Sequence, residues 1–181
     1  MVRIDRVVTR GGDGGMTSLG DGSRLRKDSP RIDAIGAVDE ANAAIGWLRV
    51  VVTGDESAML ARIQNDLFDV GADLCVPGKG GDRLRLTDTP VARLEAEVEA
   101  MNGALPALTS FILPGGSEAA GRAHMARVIV RRAERYIAAV DGLNPVLQRY
   151  LNRLSDHLFV LSRVLNDHGA GDLLWKPGEN R

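Results

Sequence analysis

The stretch PVLQRYLNRLSDHLFVLSRVL, residues 145–165, carries leucine at every third or fourth position. In an α-helix this spacing forms one narrow apolar stripe, the seam typical of helices packed in bundles. The stripe consists of Leu147, Leu151, Leu154, Leu158, Leu161 and Leu165. Pro145 suits the first helical position, where a missing N–H costs nothing. This stretch therefore predicts a long helix that packs among other helices.

Four further segments predict helices by the same periodicity. One follows Pro30, and the next alternates steps of three and four from Leu60 to Leu74. A third has Thr89 as N-cap, Pro90 at N1 and Gly103 at C′, and a fourth runs from the cap Ser117 to about Val140. The stretch PGKGGDRLRL, residues 77–86, resembles a disordered loop between the halves. Strand signals are few, so we expect an all-α protein, a five-helix bundle.

Length and charge limit the classes of protein that the chain can represent. At 181 residues with a net charge of -1, it suits one domain and not a general binder of nucleic acid or membrane surfaces. A single cysteine, Cys75, excludes an internal disulfide, and three histidines are too few and scattered to suggest a metal centre. No signal peptide or span of transmembrane length is apparent, so we expect a cytoplasmic protein.

The glycine-rich stretch TRGGDGGMTSLGDG, residues 9–22, allows two interpretations. It could be a disordered leader, because it has little apolar surface to bury. It could also be an anion-binding loop, since glycines let backbone N–H groups approach a phosphate closely. An apolar run of Ile4, Val7 and Val8 precedes it, and a basic cluster of Arg24, Arg26 and Lys27 follows it. The stretch does not match the P-loop or dinucleotide-binding patterns.

Two polar stripes lie on the fourth and fifth predicted helices. Arg127, Arg131 and Glu134 share a face of the fourth helix, with Arg135 beside them. Asn152 and Asp156 form a stripe beside the leucine seam, with Ser155 between them. The arginines could be a solvated face or could bind a polyanion together with the second stripe. Phe111, in SFILPGGSEAAG, could be a core residue or a functional one.

Four motifs in order resemble the PduO-type ATP:corrinoid adenosyltransferases, the family that includes the cobalamin adenosyltransferase of mitochondria. They are VTRGGDGGMTSL followed by Lys27, DSPRIDAIGAVDEANAAIG, SFILPGGSEAAGRAHMARVIVRRAER and YLNRLSDHLFVLSRVLN. The resemblance implies transfer of the 5′-deoxyadenosyl group of ATP to cob(I)alamin, giving adenosylcobalamin and triphosphate. It also implies a homotrimer with its sites between subunits. The expected organisation is one domain over 1–181, comprising an ATP-binding loop region (1–29), a helical bundle (30–168) and a C-terminal tail (169–181).

The resemblance also implies roles for individual residues. The implied catalytic set is Arg127, Arg131, Phe111 and Asp39. Phe111 would replace the lower axial ligand of cobalt, and Asp39 would pair with Arg127 across a subunit boundary. The implied nucleotide-binding set is Thr9, Gly12, Asp13, Gly15, Thr17, Ser18, Lys27, Arg131, Arg132, Glu134, Arg135, Asn152 and Asp156. The implied substrates are ATP, with Mg²⁺, and a corrinoid. We assign no residue as a metal ligand.

One departure from the family pattern favours a rival interpretation. Where many relatives have T-x-T-G-D-K-G, this chain has Gly11 and Gly14 in place of the second threonine and the lysine. The rival is a non-catalytic ATP- and corrinoid-binding sensor or cofactor-delivery protein on the same fold. A phosphotransferase is disfavoured because the chain lacks a Walker motif and an obvious base. Expected partners are a flavoprotein reductase and an adenosylcobalamin-dependent enzyme.

Overall fold

The computed structural model describes residues 8–78 and 83–181, and over these residues the chain forms five helices and one short hairpin. The helices are α1 (Pro30–Arg49), α2 (Gly54–Leu74), α3 (Asp88–Gly103), α4 (Glu118–Ala138) and α5 (Pro145–Val164), and the strands are β1 (Met16–Ser18) and β2 (Arg24–Arg26). The predicted all-α, five-helix architecture is therefore confirmed. Within the described residues, no helix combines the length and apolar character needed to cross a membrane.

The core is centred on α5. Five of the six predicted seam residues, Leu147, Leu151, Leu154, Leu158 and Leu161, are completely buried, and Leu165 is half-buried. Burying one leucine side chain contributes about 1.5–3 kcal/mol, so this seam is a major source of stability. Helix α4 packs between α1 and α5, while α2 packs on α1 and α3 packs on α5. This order places the polar faces of α4 and α5 side by side.

The ends of the helices follow from their capping residues. Ser117 caps α4 as predicted, accepting a hydrogen bond from Ala120 N over 3.1 Å. The prediction for α3 was wrong, because the helix begins at Asp88 with Thr87 as its N-cap. Pro90 is tolerated two positions further in, at N3, since the N–H groups of the first turn have no intrahelical acceptor. Gly103 is the last helical residue and not C′.

The glycine-rich stretch is folded as a hairpin from residue 16 onward. Strands β1 and β2 pair antiparallel, with Thr17 opposite Leu25. The turn between them is fixed to the end of α2, because Leu19 is buried and Gly20 N donates to Cys75 O over 2.9 Å. The leader interpretation is therefore wrong for residues 16–22. The predicted anchors Ile4 and Val7 lie outside the described residues.

Part of the stretch 77–86 is also ordered, against the prediction of a disordered loop. Arg85 donates to the Asp73 carboxylate over 2.7 Å and to Val76 O over 2.9 Å. Leu86 is buried, and its N–H donates to the second Asp73 oxygen over 2.9 Å. Asn144 donates to that same oxygen over 2.8 Å. One buried carboxylate thus joins three segments, whereas residues 79–82 lie outside the described part.

Candidate active site

Helices α4 and α5 bring the two predicted polar stripes into contact. Asn152 Nδ2 donates to Glu134 Oε1 over 2.9 Å, and Gln148 Nε2 donates to the same oxygen over 3.4 Å. Ser155 is buried, and its hydroxyl donates a hydrogen bond to Asn152 O, one turn earlier, over 2.9 Å. The arginine-bearing face of α4 therefore lies against the polar stripe of α5, which is the arrangement that the second of the two alternatives requires.

A cavity of about 340 Å³ opens between α4, α5 and the segment that precedes α4. Its lining comes from three separate parts of the chain: Phe111, Ile112, His124, Arg127, Arg131, Ser155, Asp156, Phe159 and Val160. Four of these, Phe111, Arg127, Arg131 and Asp156, are predicted site residues. The cavity has an aromatic and aliphatic wall next to a cationic one, which suits a ligand with both an apolar and an anionic part.

Arg127 and Arg131 form the cationic wall. Within residues 8–78 and 83–181 neither guanidinium pairs with a carboxylate, and Arg127 Nε is buried without a hydrogen-bond partner. Burial lowers the pKa of Arg127, and the neighbouring Arg131 cation lowers it further. Asp156 lies at the same cavity but accepts its hydrogen bond from Arg153 over 2.7 Å. Two like charges one turn apart repel each other, so a bound anion would stabilise this wall.

Phe111 forms part of the apolar wall and does not belong to the core. Its side chain is 77% exposed, which rules out the core interpretation in this chain. Its ring centroid lies 6.1 Å from that of Trp175. An exposed aromatic ring at the mouth of a cavity is available to contact a ligand.

His124 and Phe159 also line the cavity and were missed by the sequence analysis. Their rings are arranged edge to face with centroids 6.5 Å apart. His124 is buried, and its Nδ1 has no partner among the described residues. Burial lowers its pKa, with a further contribution from Arg127, so the ring stays neutral at physiological pH. A signal was present in the sequence, because His124 precedes Arg127 by three residues and Arg131 by seven, which places all three on one helical face.

The glycine-rich hairpin presents an open polar surface. Gly15 adopts φ +76, and its carbonyl accepts a hydrogen bond from Lys27 N over 2.9 Å. A Cβ at Gly12 would lie 3.0 Å from Lys27 Nζ, so the lysine ammonium lies close to the backbone of the loop. Thr17 is half-buried. The side chains of Thr9, Asp13, Ser18 and Lys27 are exposed.

Asp39 does not line the cavity that contains Arg127 and Arg131. It lines an apolar groove of about 450 Å³ between α1 and α2, beside Phe68, which is 71% exposed. The hairpin is fixed to the end of α2 on the same side. Within one chain, Asp39 and the hairpin are thus separated from Arg127 and Arg131.

Two of the predicted nucleotide-binding arginines lie outside the cavity. Arg132 forms an ion pair with Glu40 of α1. Arg135 is exposed, and its guanidinium donates to Arg131 O over 3.4 Å. Adjacent residues of a helix point about 100° apart, so Arg131 and Arg132 necessarily face different neighbours.

Comparison with known proteins agrees with this geometry. The family model described as cobalamin adenosyltransferase matches residues 7–165. A cobalamin adenosyltransferase of Cupriavidus metallidurans is 49% identical, over 96% of each chain. A corrinoid adenosyltransferase of Mycobacterium bovis is 47% identical, over 99% of this chain and 97% of the relative.

A solved structure is similar along nearly the whole chain. It is a variant PduO-type ATP:corrinoid adenosyltransferase from Lactobacillus reuteri, complexed with cobalamin and ATP. It superposes with a TM-score of 0.89 at 33% identity, over 94% of this chain and 99% of the other. The family match spans most of the sequence, and the fold agrees with it. The chain therefore belongs to the cobalamin adenosyltransferase family.

Proposed function

We propose that this chain transfers the 5′-deoxyadenosyl group of ATP to cob(I)alamin, forming adenosylcobalamin and triphosphate. The observation that carries the proposal is the cavity in which Arg127 and Arg131, without carboxylate partners in the described chain, adjoin the exposed ring of Phe111. Relatives named corrinoid adenosyltransferase, and the L. reuteri protein complexed with cobalamin and ATP, support it.

The chemistry needs charge stabilisation more than acid–base catalysis. The cobalt of cob(I)alamin donates an electron pair to C5′, the C5′–O bond breaks, and triphosphate leaves with the bonding electrons. Because the nucleophile is already a reduced metal centre, no side chain has to remove a proton. Arg127 and Arg131 stabilise the charge that grows on the leaving triphosphate, and removal of one such donor commonly costs about 10²–10³-fold in rate.

Phe111 acts on the corrinoid. Reduction of Co(II) becomes easier when cobalt loses its lower axial ligand, and an apolar ring in that position excludes both the ligand and water. Phe111 suits this role because its ring is exposed and borders the cavity. The neighbouring Phe159 and Val160 extend the same apolar surface.

The nucleotide-binding loop and the subunit arrangement complete the site. We assign the loop region 1–29 to the triphosphate of ATP, the bundle 30–168 to the scaffold, and 169–181 to the tail of one domain. The hairpin and Asp39 lie on the α1–α2 side of the bundle, away from Arg127. A homotrimer in which the α1–α2 side of one subunit meets the α4–α5 side of the next would unite the two halves and pair Asp39 with Arg127.

Mg²⁺ would accompany the nucleotide. Over residues 8–78 and 83–181, no group of three or more His, Cys, Asp or Glu is placed to hold a metal ion. Mg²⁺ in nucleotide sites commonly uses one or two carboxylates, water and the phosphates themselves. Glu134, beside the arginines, could serve as one such carboxylate. When bound, the cation neutralises phosphate charge.

The cellular setting is proposed with the reaction. A flavoprotein reductase would supply electrons to cobalt, and an adenosylcobalamin-dependent enzyme would receive the product. We place the protein in the cytoplasm, without a nucleic-acid or membrane partner.

The products of the reaction test this proposal against its rivals. With ATP and chemically reduced cob(I)alamin, we expect triphosphate and a new cobalt–carbon bond, followed by absorbance and phosphorus NMR. Binding without turnover would establish the sensor or delivery protein, whose support is the replacement of the family's threonine and lysine by Gly11 and Gly14. Formation of ADP would instead establish a phosphotransferase.

A further inference from the structure

The segment that carries Phe111 is held by the C-terminal tail. Leu113 N donates to Leu173 O over 2.8 Å, and Trp175 N donates to Phe111 O over 2.8 Å. Ser110 Oγ donates to Trp175 O over 2.9 Å. These contacts surround an antiparallel bridge between residues 112 and 174. Among the described residues, the backbone hydrogen bonds of residues 111–113 thus go to the tail and not to either neighbouring helix.

A buried ion pair fixes the tail in turn. The side chain of Arg163, near the end of α5, is 4% exposed and that of Asp172, in the tail, is 6% exposed, and Arg163 Nε donates to Asp172 Oδ2 over 2.7 Å. Arg163 also donates to Pro106 O, at the start of the Phe111 segment, over 2.7 Å. A charged pair so well buried is costly unless all its hydrogen bonds are made. This one joins three segments of the chain.

Asn166 connects the same pair to the start of α4. Its Nδ2 donates to Asp172 Oδ1 over 3.0 Å, and its Oδ1 accepts from Ser117 N over 3.0 Å. Gly116, with φ +96, has no room for a Cβ against the Asn166 amide, and a Cβ at Gly171 would lie 2.8 Å from Asn166 Oδ1. The Asn166 amide therefore packs directly against the backbone of Gly116 and Gly171, where a larger residue would collide with it.

We propose that Arg163, Asn166 and Asp172 form a clamp that positions Phe111 at the cavity, acting through the backbone of the tail segment 173–175. The clamp fixes both ends of the Phe111 segment, at Pro106 and Ser117, and its middle through the bridge. This inference rests on the proposed function, because it assigns to the tail the positioning of the Phe111 ring against the corrinoid. The three residues are positioning residues, because none of them lines the cavity.

The hydrogen bonds of the clamp do not include the residues of α4 and α5 that we assign to the nucleotide. Its polar contacts reach Pro106, Ser117 and the tail, whereas Glu134 and Asn152 bond each other further along α4 and α5. Loosening the clamp should therefore affect the corrinoid and leave ATP binding nearly unchanged. A general loss of stability would affect both substrates together.

The first experiment compares Asp172→Asn with Asp66→Asn. Asp66 is a buried carboxylate that pairs with Arg93 and accepts from Tyr150 Oη over 3.0 Å, and none of these three residues lines the cavity. Each variant is assayed for thermal unfolding, ATP affinity and the paramagnetic resonance signal of four-coordinate Co(II) in the presence of ATP. We expect Asp172→Asn to lose most of that signal and to lower kcat/KM for the corrinoid on the order of 10-fold to 100-fold, because small misplacements have such effects.

Three outcomes decide the proposal. Asp66→Asn should unfold at a lower temperature than the wild type yet keep the four-coordinate signal. Asp172→Glu should recover part of the signal that Asp172→Asn loses. A wild-type signal in Asp172→Asn would overturn the clamp. Equal loss of ATP and corrinoid binding in Asp172→Asn and Asp66→Asn would also overturn it, since that is the result of general destabilisation.

A second pair of variants isolates the backbone contact, even if Asp172→Asn does not fold. Trp175→Ala and Trp175→Pro both lose the indole ring, but only proline removes the N–H that donates to Phe111 O. We expect faster hydrogen exchange at the Leu113 amide and a weaker four-coordinate signal in the proline variant than in the alanine variant. Identical behaviour of the two would contradict the clamp. If the wild-type protein forms no cobalt–carbon bond, the proposed function fails, whereas exchange at Leu113 still decides whether the clamp exists.

Discussion

The two flanks of α4 carry the same residue type in opposite situations. On the flank beside α1, Arg122 pairs with Glu118 over 2.5 Å and lies 4.5 Å from the ring centroid of Trp47, and Arg132 pairs with Glu40. On the cavity flank, Arg127 and Arg131 have no carboxylate partner in the described parts of the chain. The chain neutralises the first pair by itself and leaves the second for a ligand or a neighbouring subunit.

This difference separates structural arginines from functional ones. An exposed ion pair contributes about 0–1 kcal/mol, so Arg132 with Glu40 is worth little beyond orientation. Arg127 is half-buried and Arg131 is exposed, and their neighbouring positive charges repel each other, so this pair gains energy when an anion binds. The comparison can be tested by changing one flank and then the other.

The largest effect is expected at Arg131. Arg131→Lys keeps the charge but loses the planar, bidentate fork, so we expect kcat/KM for ATP to fall by about 10²–10³-fold with weaker ATP binding and an unchanged helical fold. Steady-state kinetics and circular dichroism provide the measurement. The matched control on the other flank is Arg122→Lys, which should leave kcat/KM unchanged. Equal losses in both variants would remove the distinction between the flanks.

A smaller effect is expected from reversing the charge of Asp39. If this carboxylate meets Arg127 of a neighbouring subunit, Asp39→Arg places like charges together. We expect the trimer to dissociate more readily and kcat to fall by about tenfold or more. The double variant Asp39→Arg with Arg127→Asp should recover part of the assembly. Light scattering measures the oligomer, and a monomeric wild-type protein at micromolar concentration would contradict the interface site.

Phe111 tests the apolar end of the cavity. Because its ring is 77% exposed, Phe111→Ala should change stability by no more than about 0.5 kcal/mol, as for other surface positions, and leave ATP binding nearly intact. The fraction of bound Co(II) that becomes four-coordinate should fall, because the vacated space readmits a ligand or water. Thermal unfolding and the Co(II) spectrum are measured together. A large loss of stability with an unaltered spectrum would make Phe111 a packing residue.

The smallest effect is a pH dependence at His124. Burial lowers its pKa and Arg127 lowers it further, while Asp172 opposes them. The unfolded chain, where histidine titrates near about 6.5, thus binds the proton more tightly than the folded one. Stability is therefore complete above that pH and decreases as the pH falls below it. Urea unfolding one pH unit above and one below about 6.5 should show a smaller decrease in His124→Gln than in the wild type.

Glu97 does not interfere with this measurement. Burial alone would raise its pKa, but hydrogen bonds from His157 and Arg62 outweigh burial and hold the pKa below its ordinary value. The stability that Glu97 contributes is present above the unfolded pKa of about 4.3 and is lost only as the pH falls through its folded pKa.

A wild-type pH dependence equal to that of His124→Gln would show that His124 is not buried as a neutral ring.

The sequence predicted much of the fold because the residues that determine a helix lie within one turn of each other in the sequence. The leucine seam of α5, the Ser117 cap and the stripe formed by Asn152 and Asp156 all follow from a repeat of 3.6 residues and one-turn interactions. It placed the N-cap of α3 at Thr89, two residues beyond the observed Thr87. It left residues 9–22 open to interpretation as a disordered leader, because glycine-rich turns have no periodicity to read.

What the sequence by itself determined is the helical bundle and the set of polar residues on α4 and α5. Only the tertiary structure decided that Arg132 pairs within the chain while Arg131 does not, that Phe111 is exposed, and that Arg163 meets Asp172 in the tail. The physical reason is range. A helical period is set by neighbours within one turn, whereas the partner of a charge is chosen through space, by elements up to 92 residues away in sequence, as between Glu40 and Arg132.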